Sequence, residues 1–179
     1  MPSSWGKEQP MQFATLIVAI VNLIVLSIMA VLAVLQIRKT QEWNRRRATL
    51  DLLTEWDVGR MRELRDRLEA KVDIYNPQSD YESKKGDLDK EDDMALDGIL
   101  NALDNVGLAV RHKVLNERMA YECLSGIVAA YWRWARPYIN QNKQIDIRLW
   151  DELDPLVARW ADWDRAALDA RLPKGSPKL

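Results

Sequence analysis

Between Gln9 and Ile37 the chain carries no charged residue, and five basic residues, Arg38, Lys39, Arg45, Arg46 and Arg47, follow close behind. Within that run Phe13 to Leu35 is apolar except at Thr15, Asn22 and Ser27. Coiled as a helix it is about 35 Å long, enough for a hydrocarbon core of roughly 30 Å. A helix buried in a soluble core would show a polar face, and this run has none of useful width. A cleaved secretory signal has a shorter apolar stretch and a small-residue cleavage site beyond it, whereas Ala30 and Ala33 lie inside the run. The pattern therefore predicts a transmembrane helix over 13–37, preceded by a short non-cytoplasmic N-terminus over 1–12. Short flanks rich in Lys and Arg stay in the cytoplasm. The N-terminal side offers only Lys7 and the terminal amine beside Glu8, so the bulk of the chain is expected in the cytoplasm of a bacterium, below its inner membrane. Trp5 and Trp43 suit interfacial positions on the two sides.

The remainder, 38–172, has the size of one domain, and a tail over 173–179 reads as flexible. A net charge of −1 argues against a general nucleic-acid binder, and no DNA partner is expected. Positive charge gathers next to the span and negative charge in the stretch 73–97. The bilayer is then the first expected partner, its anionic headgroups meeting Arg38, Lys39, Arg45, Arg46 and Arg47 at about 1 kcal/mol per basic residue near the surface. The one cysteine, Cys123, has no disulfide partner, and its neighbours Ala120 and Leu124 suggest a small buried hydrophobe. With His112 the one histidine, a zinc site is nearly excluded, and neither metal nor cofactor is expected.

Strand signals are weak, and the fold class is all-α: one N-terminal transmembrane helix and a cytoplasmic bundle of about four helices. No proline follows the span until Pro77, so Lys39 to Val72 reads as one long or once-bent helix with Gly59 its weakest point. Leu50, Leu53, Met61, Leu64, Leu68 and Val72 form its apolar side. The polar, acidic stretch 73–93, broken by Asn76-Pro77 and Lys85-Gly86, reads as an exposed connection. A third helix runs from about Asp93 to His112 on Ile99, Leu100, Leu103, Val106, Leu108 and Val110. Asn116 reads as the N-cap of a fourth, from Glu117 to about Tyr138, ended with the help of Pro137. A last helix is expected after Asp146, bent or restarted at Pro155.

Three features are candidates for function. Thr15, Ala19, Asn22, Leu26, Met29, Ala33 and Gln36 recur in steps of three and four, placing small and polar side chains on one stripe of the span. Small residues let helices approach, and an amide at membrane depth gains from a partner across the interface. This predicts a homo-oligomer packed along the stripe, or a ring in which Asn22 faces a narrow pore. Tyr131, Trp132, Trp134, Tyr138, Trp150, Trp160 and Trp163 form an aromatic set expected mainly in the core, although Trp132 beside Arg133 and Trp134 beside Arg136 also suit stacking on a nucleobase. Third is the turn Arg111-His112-Lys113-Val114-Leu115-Asn116. It resembles the ribonuclease motif of the HEPN helical superfamily, in which an Arg precedes a His between two helices. Asn116 stands where that His belongs, and an amide is no general acid or base near neutral pH. An RNA contact by Arg111, His112 and Asn116 is the alternative expectation, and ribonuclease activity is not expected. Phosphate loops, nucleophile elbows, zinc spacings and paired acids are all missing from the sequence.

Leu100-Asn101-Ala102-Leu103-Asp104-Asn105-Val106-Gly107-Leu108-Ala109-Val110, Leu115-Asn116-Glu117 and Tyr131-Trp132-Arg133-Trp134-Ala135-Arg136-Pro137-Tyr138-Ile139 carry a resemblance to a group of small, uncharacterised bacterial proteins with one N-terminal span and a cytoplasmic helical domain. In plan rather than motif, the chain is similar to membrane-anchored accessory proteins of RNA-targeting CRISPR systems with a degenerate HEPN-like domain. That resemblance implies a setting in antiviral defence. The expected function is a self-associating, non-enzymatic sensor or effector that alters membrane permeability, with a cytoplasmic protein or RNA as partner. A membrane-tethered RNA-binding domain is the alternative.

Overall fold

The computed structural model describes residues 9–171, with side chains over 16–166; the Thr15 side chain, Trp5 and the expected tail lie outside the described residues. These are all-helical, with no strand among them. The chain divides into two compact units, Met1–Asn44 and Arg45–Leu179.

Helix α1 (Gln9–Val58) starts with Pro10 in its first turn, where the missing N–H costs nothing, and meets no further proline or glycine along its length. In the first unit every described side chain is exposed. The large aliphatic residues from Leu16 to Ile37 are 48–67% exposed.

The second unit begins on the last turns of α1, where Thr49 and Trp56 are buried and Ala48, Leu52 and Leu53 pack on the core. The helix breaks at Gly59, in extended backbone (φ −86°, ψ −158°), and resumes as α2 (Arg60–Glu69). Leu68 of α2 is fully buried, and α2 packs chiefly on α4 (Lys90–Arg111).

The acidic connection between them departs from expectation. It is folded into the domain, with α3 (Tyr81–Lys84) and a 3-10 turn (Lys85–Asp87), and it buries Ile74, Ser79, Tyr81 and Asp92. The reason is that its charges and hydroxyls satisfy specific partners. Asp80 and Ser83 exchange hydrogen bonds across the start of α3, and Asp89 and Asp92 do the same at the start of α4. Arg67 Nε reaches Asp92 at 2.8 Å, Lys71 Nζ reaches Asp89 at 2.9 Å, and Tyr81 donates to Asp93 at 2.9 Å.

Asn116 caps α5 (Glu117–Trp134) by accepting the Met119 N–H at 3.1 Å. The expected continuation to Tyr138 does not occur: the chain turns at Ala135 and starts α6 (Arg136–Lys143). Pro137 therefore opens a helix instead of ending one, at a position whose N–H has no intrahelical acceptor. Helix α7 (Leu153–Arg171) begins later than expected. The residues before it form turns, with Trp150 at φ 55°, held by burial and by its indole N–H on Asn101 Oδ1 at 2.9 Å. Pro155 falls in the first turn and needs no bend.

Helix α4 packs against α2, α5 and α7, and α5 packs against α6 and α7. The core between them holds Leu96, Ile99, Leu103, Leu124, Tyr131 and Trp134. Three inward assignments are corrected. Cys123 is exposed, because the line Ala120, Leu124, Val128, Tyr131 already fills the inner face of α5. Leu108 (38%) and Leu50 (51%) are exposed for the same geometric reason on their own helices.

Candidate functional site

On α1 the residues of the stripe with described side chains, Ala19, Asn22, Leu26, Met29, Ala33 and Gln36, are all exposed. Ser27 satisfies its hydroxyl within the helix, donating to Leu23 O at 2.8 Å. The Asn22 amide has no hydrogen-bond partner among the described residues, which makes it an unsatisfied polar group of the apolar run. Of the basic residues that follow, Arg38, Lys39, Arg46 and Arg47 are exposed and Arg45 is half-buried.

The turn after α4 is built by backbone geometry. Lys113 takes φ 58°, and the N–H of Val114 returns to Ala109 O at 2.9 Å, closing the helix end. Thr49 Oγ accepts the Asn116 backbone N–H at 2.9 Å while donating to Arg45 O at 2.8 Å, so α1 and the start of α5 share one buried hydroxyl. Each residue of the expected RNA contact thus has a structural role or lies free of one in a definable way. The Asn116 side chain is occupied by the cap. Arg111 Nη1 lies 2.6 Å from Glu152 Oε1. His112 is exposed at the C-terminal end of α4.

Sequence reasoning missed the other side of Arg111. Gly107, Arg111, Glu152 and Arg159 border a cleft of about 310 Å³ between α4 and the start of α7. Gly107 permits this approach: a Cβ there would stand 2.7 Å from Glu152 O. Arg159 Nη1 reaches Glu117 at 3.1 Å, so both guanidiniums at the cleft are matched by carboxylates. Asp104 on α4 accepts the N–H groups of Glu152 and Leu153 at 2.8 and 3.1 Å, taking the place of a local N-cap for α7. Burial raises the Asp104 carboxyl above its ordinary value, and these two donors offset that only in part.

The aromatic set mostly fills the core, as its burial shows for Tyr131, Trp134, Trp150 and Trp160. Its expected pairings change. Arg136, not Arg133, lies over the Trp132 ring at 4.3 Å, one helical turn on. Trp134 is buried and donates to Ser79 at 3.2 Å, while Arg133 donates to Ile74 O at 3.0 Å. Asp154 gathers Trp132 Nε1 at 2.8 Å, Arg136 at 2.6 Å and Lys143 at 3.0 Å. Burial works to raise its carboxyl, but these three donors prevail and hold it below its ordinary value. Among the described residues no three side chains of metal-ligating type gather.

These features define an all-helical protein with one N-terminal helix long and apolar enough to cross a membrane, joined to a compact helical unit. A family model described as a domain of unknown function, DUF4760, matches residues 13–160, and the chain belongs to that family. No curated protein and no solved structure matches the chain.

Proposed function

We propose that this is a single-pass membrane protein whose α1 helices associate within the bilayer and whose second unit lies in the cytoplasm as a docking domain for a protein partner. The Asn22 amide carries the reading. In water it would be solvated, but in hydrocarbon an unpaired amide is costly, and a second helix carrying the same stripe satisfies it. The exposed basic residues after Ile37 set the orientation by their preference for the cytoplasmic side.

The native Cys123 tests that orientation, because its thiol is exposed. A membrane-impermeant maleimide should label it only after spheroplasts are opened; labelling of intact spheroplasts would reverse the topology. For association, Asn22→Leu should weaken cross-linked oligomers in membranes, and unchanged cross-linking refutes the stripe. As a further step the reading takes the assembled helices to alter membrane permeability in antiviral defence, an implication of the resemblance. A potential-sensitive dye that records no depolarisation in cells overproducing the chain, with the defence system triggered, rejects that step alone.

A further inference from the structure

Within the second unit, the end of α1 and then α2 run antiparallel to α4. Thr49 accepts the Asn116 N–H, Leu64 lies against Gly98, Arg67 reaches Asp92 and Lys71 reaches Asp89, so positions that rise along one side fall along the other. The turn 112–116 therefore stands at the end where the chain enters the unit, at Arg45. The start of α4 stands at the opposite end, about 33 Å away along a helix of 22 residues. The turn presents one apolar and one charged side chain. Lys113 is held at φ 58°, and Val114, whose N–H returns to Ala109 O, is 54% exposed. Arg111 and Arg118 to either side are matched by Glu152 and Glu122, at 2.6 and 2.7 Å. Lys113 is exposed and has no carboxylate partner among the described residues.

We propose that this turn rests on the anionic headgroups of the bilayer, with Lys113 as the charged contact and Val114 as the apolar one. The inference rests on the membrane span proposed above and deepens it. The uncharged run ends at Ile37, eight residues before Arg45, which is about 12 Å of helix. The headgroup layer is about 5–7 Å deep, and its potential reaches about 8 Å further at physiological salt, so the entry end of the unit lies within its field. The apolar run, about 35 Å long as a helix, exceeds a hydrocarbon core of roughly 30 Å, and tilting takes up an excess of that kind. Tilt towards the side that carries the turn shortens the remaining gap. The charge of Lys113 has the same sign as that of Arg38 and Lys39, the exposed basic residues that leave the span. Because the chain is tethered, the contact is intramolecular, and a gain of about fivefold in the bound-to-free ratio per basic residue is enough to favour it.

The test uses the full chain with Cys123→Ser and a fluorophore on Val114→Cys or Gly86→Cys, reconstituted into phosphatidylcholine vesicles with and without phosphatidylglycerol. A nitroxide on the lipid headgroup is the quencher. Gly86 precedes the far end of α4, and nothing lies within 4 Å of a Cβ added there. Quenching should be stronger at position 114 than at 86 and should rise with phosphatidylglycerol. The part that phosphatidylglycerol adds should fall about fivefold with Lys113→Gln. Equal quenching at the two positions, in a chain that floats with the vesicles, overturns the contact and leaves the span standing. A chain that does not float overturns both. Quenching at position 114 that ignores both phosphatidylglycerol and Lys113→Gln overturns the headgroup assignment, and its loss on adding single-stranded RNA at low salt gives the turn to RNA instead.

Discussion

Gly107→Ala sets local propensity against tertiary packing. Within a helix, alanine is favoured over glycine by about 1 kcal/mol. At Gly126, on the exposed side of α5, nothing lies within 4 Å of an added Cβ, so Gly126→Ala should gain about that amount. At Gly107 the same methyl would meet Glu152 O at 2.7 Å and Glu152 Cβ at 2.9 Å. Restoring ordinary contact requires the first turn of α7 to retreat by roughly 0.7 Å, an overpacking strain of about 1–3 kcal/mol. The retreat also stretches the two hydrogen bonds from Glu152 and Leu153 to Asp104. With the propensity gain subtracted, Gly107→Ala should destabilise by about 1 kcal/mol, so the two variants separate by about 2 kcal/mol in opposite directions. At roughly 4 °C per kcal/mol, that is a spread of about 8 °C in Tm. Tryptophan-fluorescence melting of the full chain in detergent reads it, since Trp134, Trp150 and Trp160 are buried. A Gly107→Ala protein as stable as its Gly126→Ala counterpart would refute the close approach of α7 to α4.

Three further outcomes follow from the same contacts. Thr49→Val removes the acceptor of the Asn116 N–H and should cost about 1–2 kcal/mol, with Thr49→Ser restoring most of it; equal melting of all three proteins would exclude the shared hydroxyl. The carboxyls of Asp89 and Asp92 are both held below their ordinary value of 3.8, Asp89 chiefly by Lys71, and Asp92 by the Asp89 N–H, Lys71 and Arg67 against the opposing effect of its burial. The unfolded chain therefore takes up these protons first, and their stabilisation, complete above about pH 5, is lost as the pH falls from there through the folded values. Asp92→Asn should be less stable at neutral pH and show a shallower acid limb in a pH series of denaturation midpoints. Asp104 has the opposite sign. Its raised carboxyl binds a proton more tightly when folded, so its contribution is present in acid and lost as pH rises through a value above 3.8. Asp104→Asn, which keeps an acceptor oxygen, should melt higher than the natural chain at pH 7 and level with it near pH 3, and an equal gain at both would count against the cause.

The readable parts of the fold share one property: their signals are local. The Gly59 break, the Asn116 cap and the buried line along α4 each follow from a few neighbouring residues obeying helix geometry. The acidic stretch was misread because its partners are distant in sequence. Arg67 and Lys71 lie some twenty residues before Asp89 and Asp92, and composition alone does not say that these charges will meet. The cleft beside Arg111 was missed for a like reason, since Glu152 is far along the chain and Gly107 signals a close approach only when the approaching helix is known.

What the sequence determined by itself is the apolar helix, because a run free of charge and interrupted by neither proline nor glycine after Pro10 carries its helical signal within its own residues. Tertiary structure alone decided which polar groups are structural. Asp92 became a buried ion-paired cap, Asp104 the cap of a helix remote from it in sequence, and Cys123 an exposed thiol. The physical reason is that a helix periodicity specifies a face, whereas burial of a charge depends on donors brought from elsewhere in the fold.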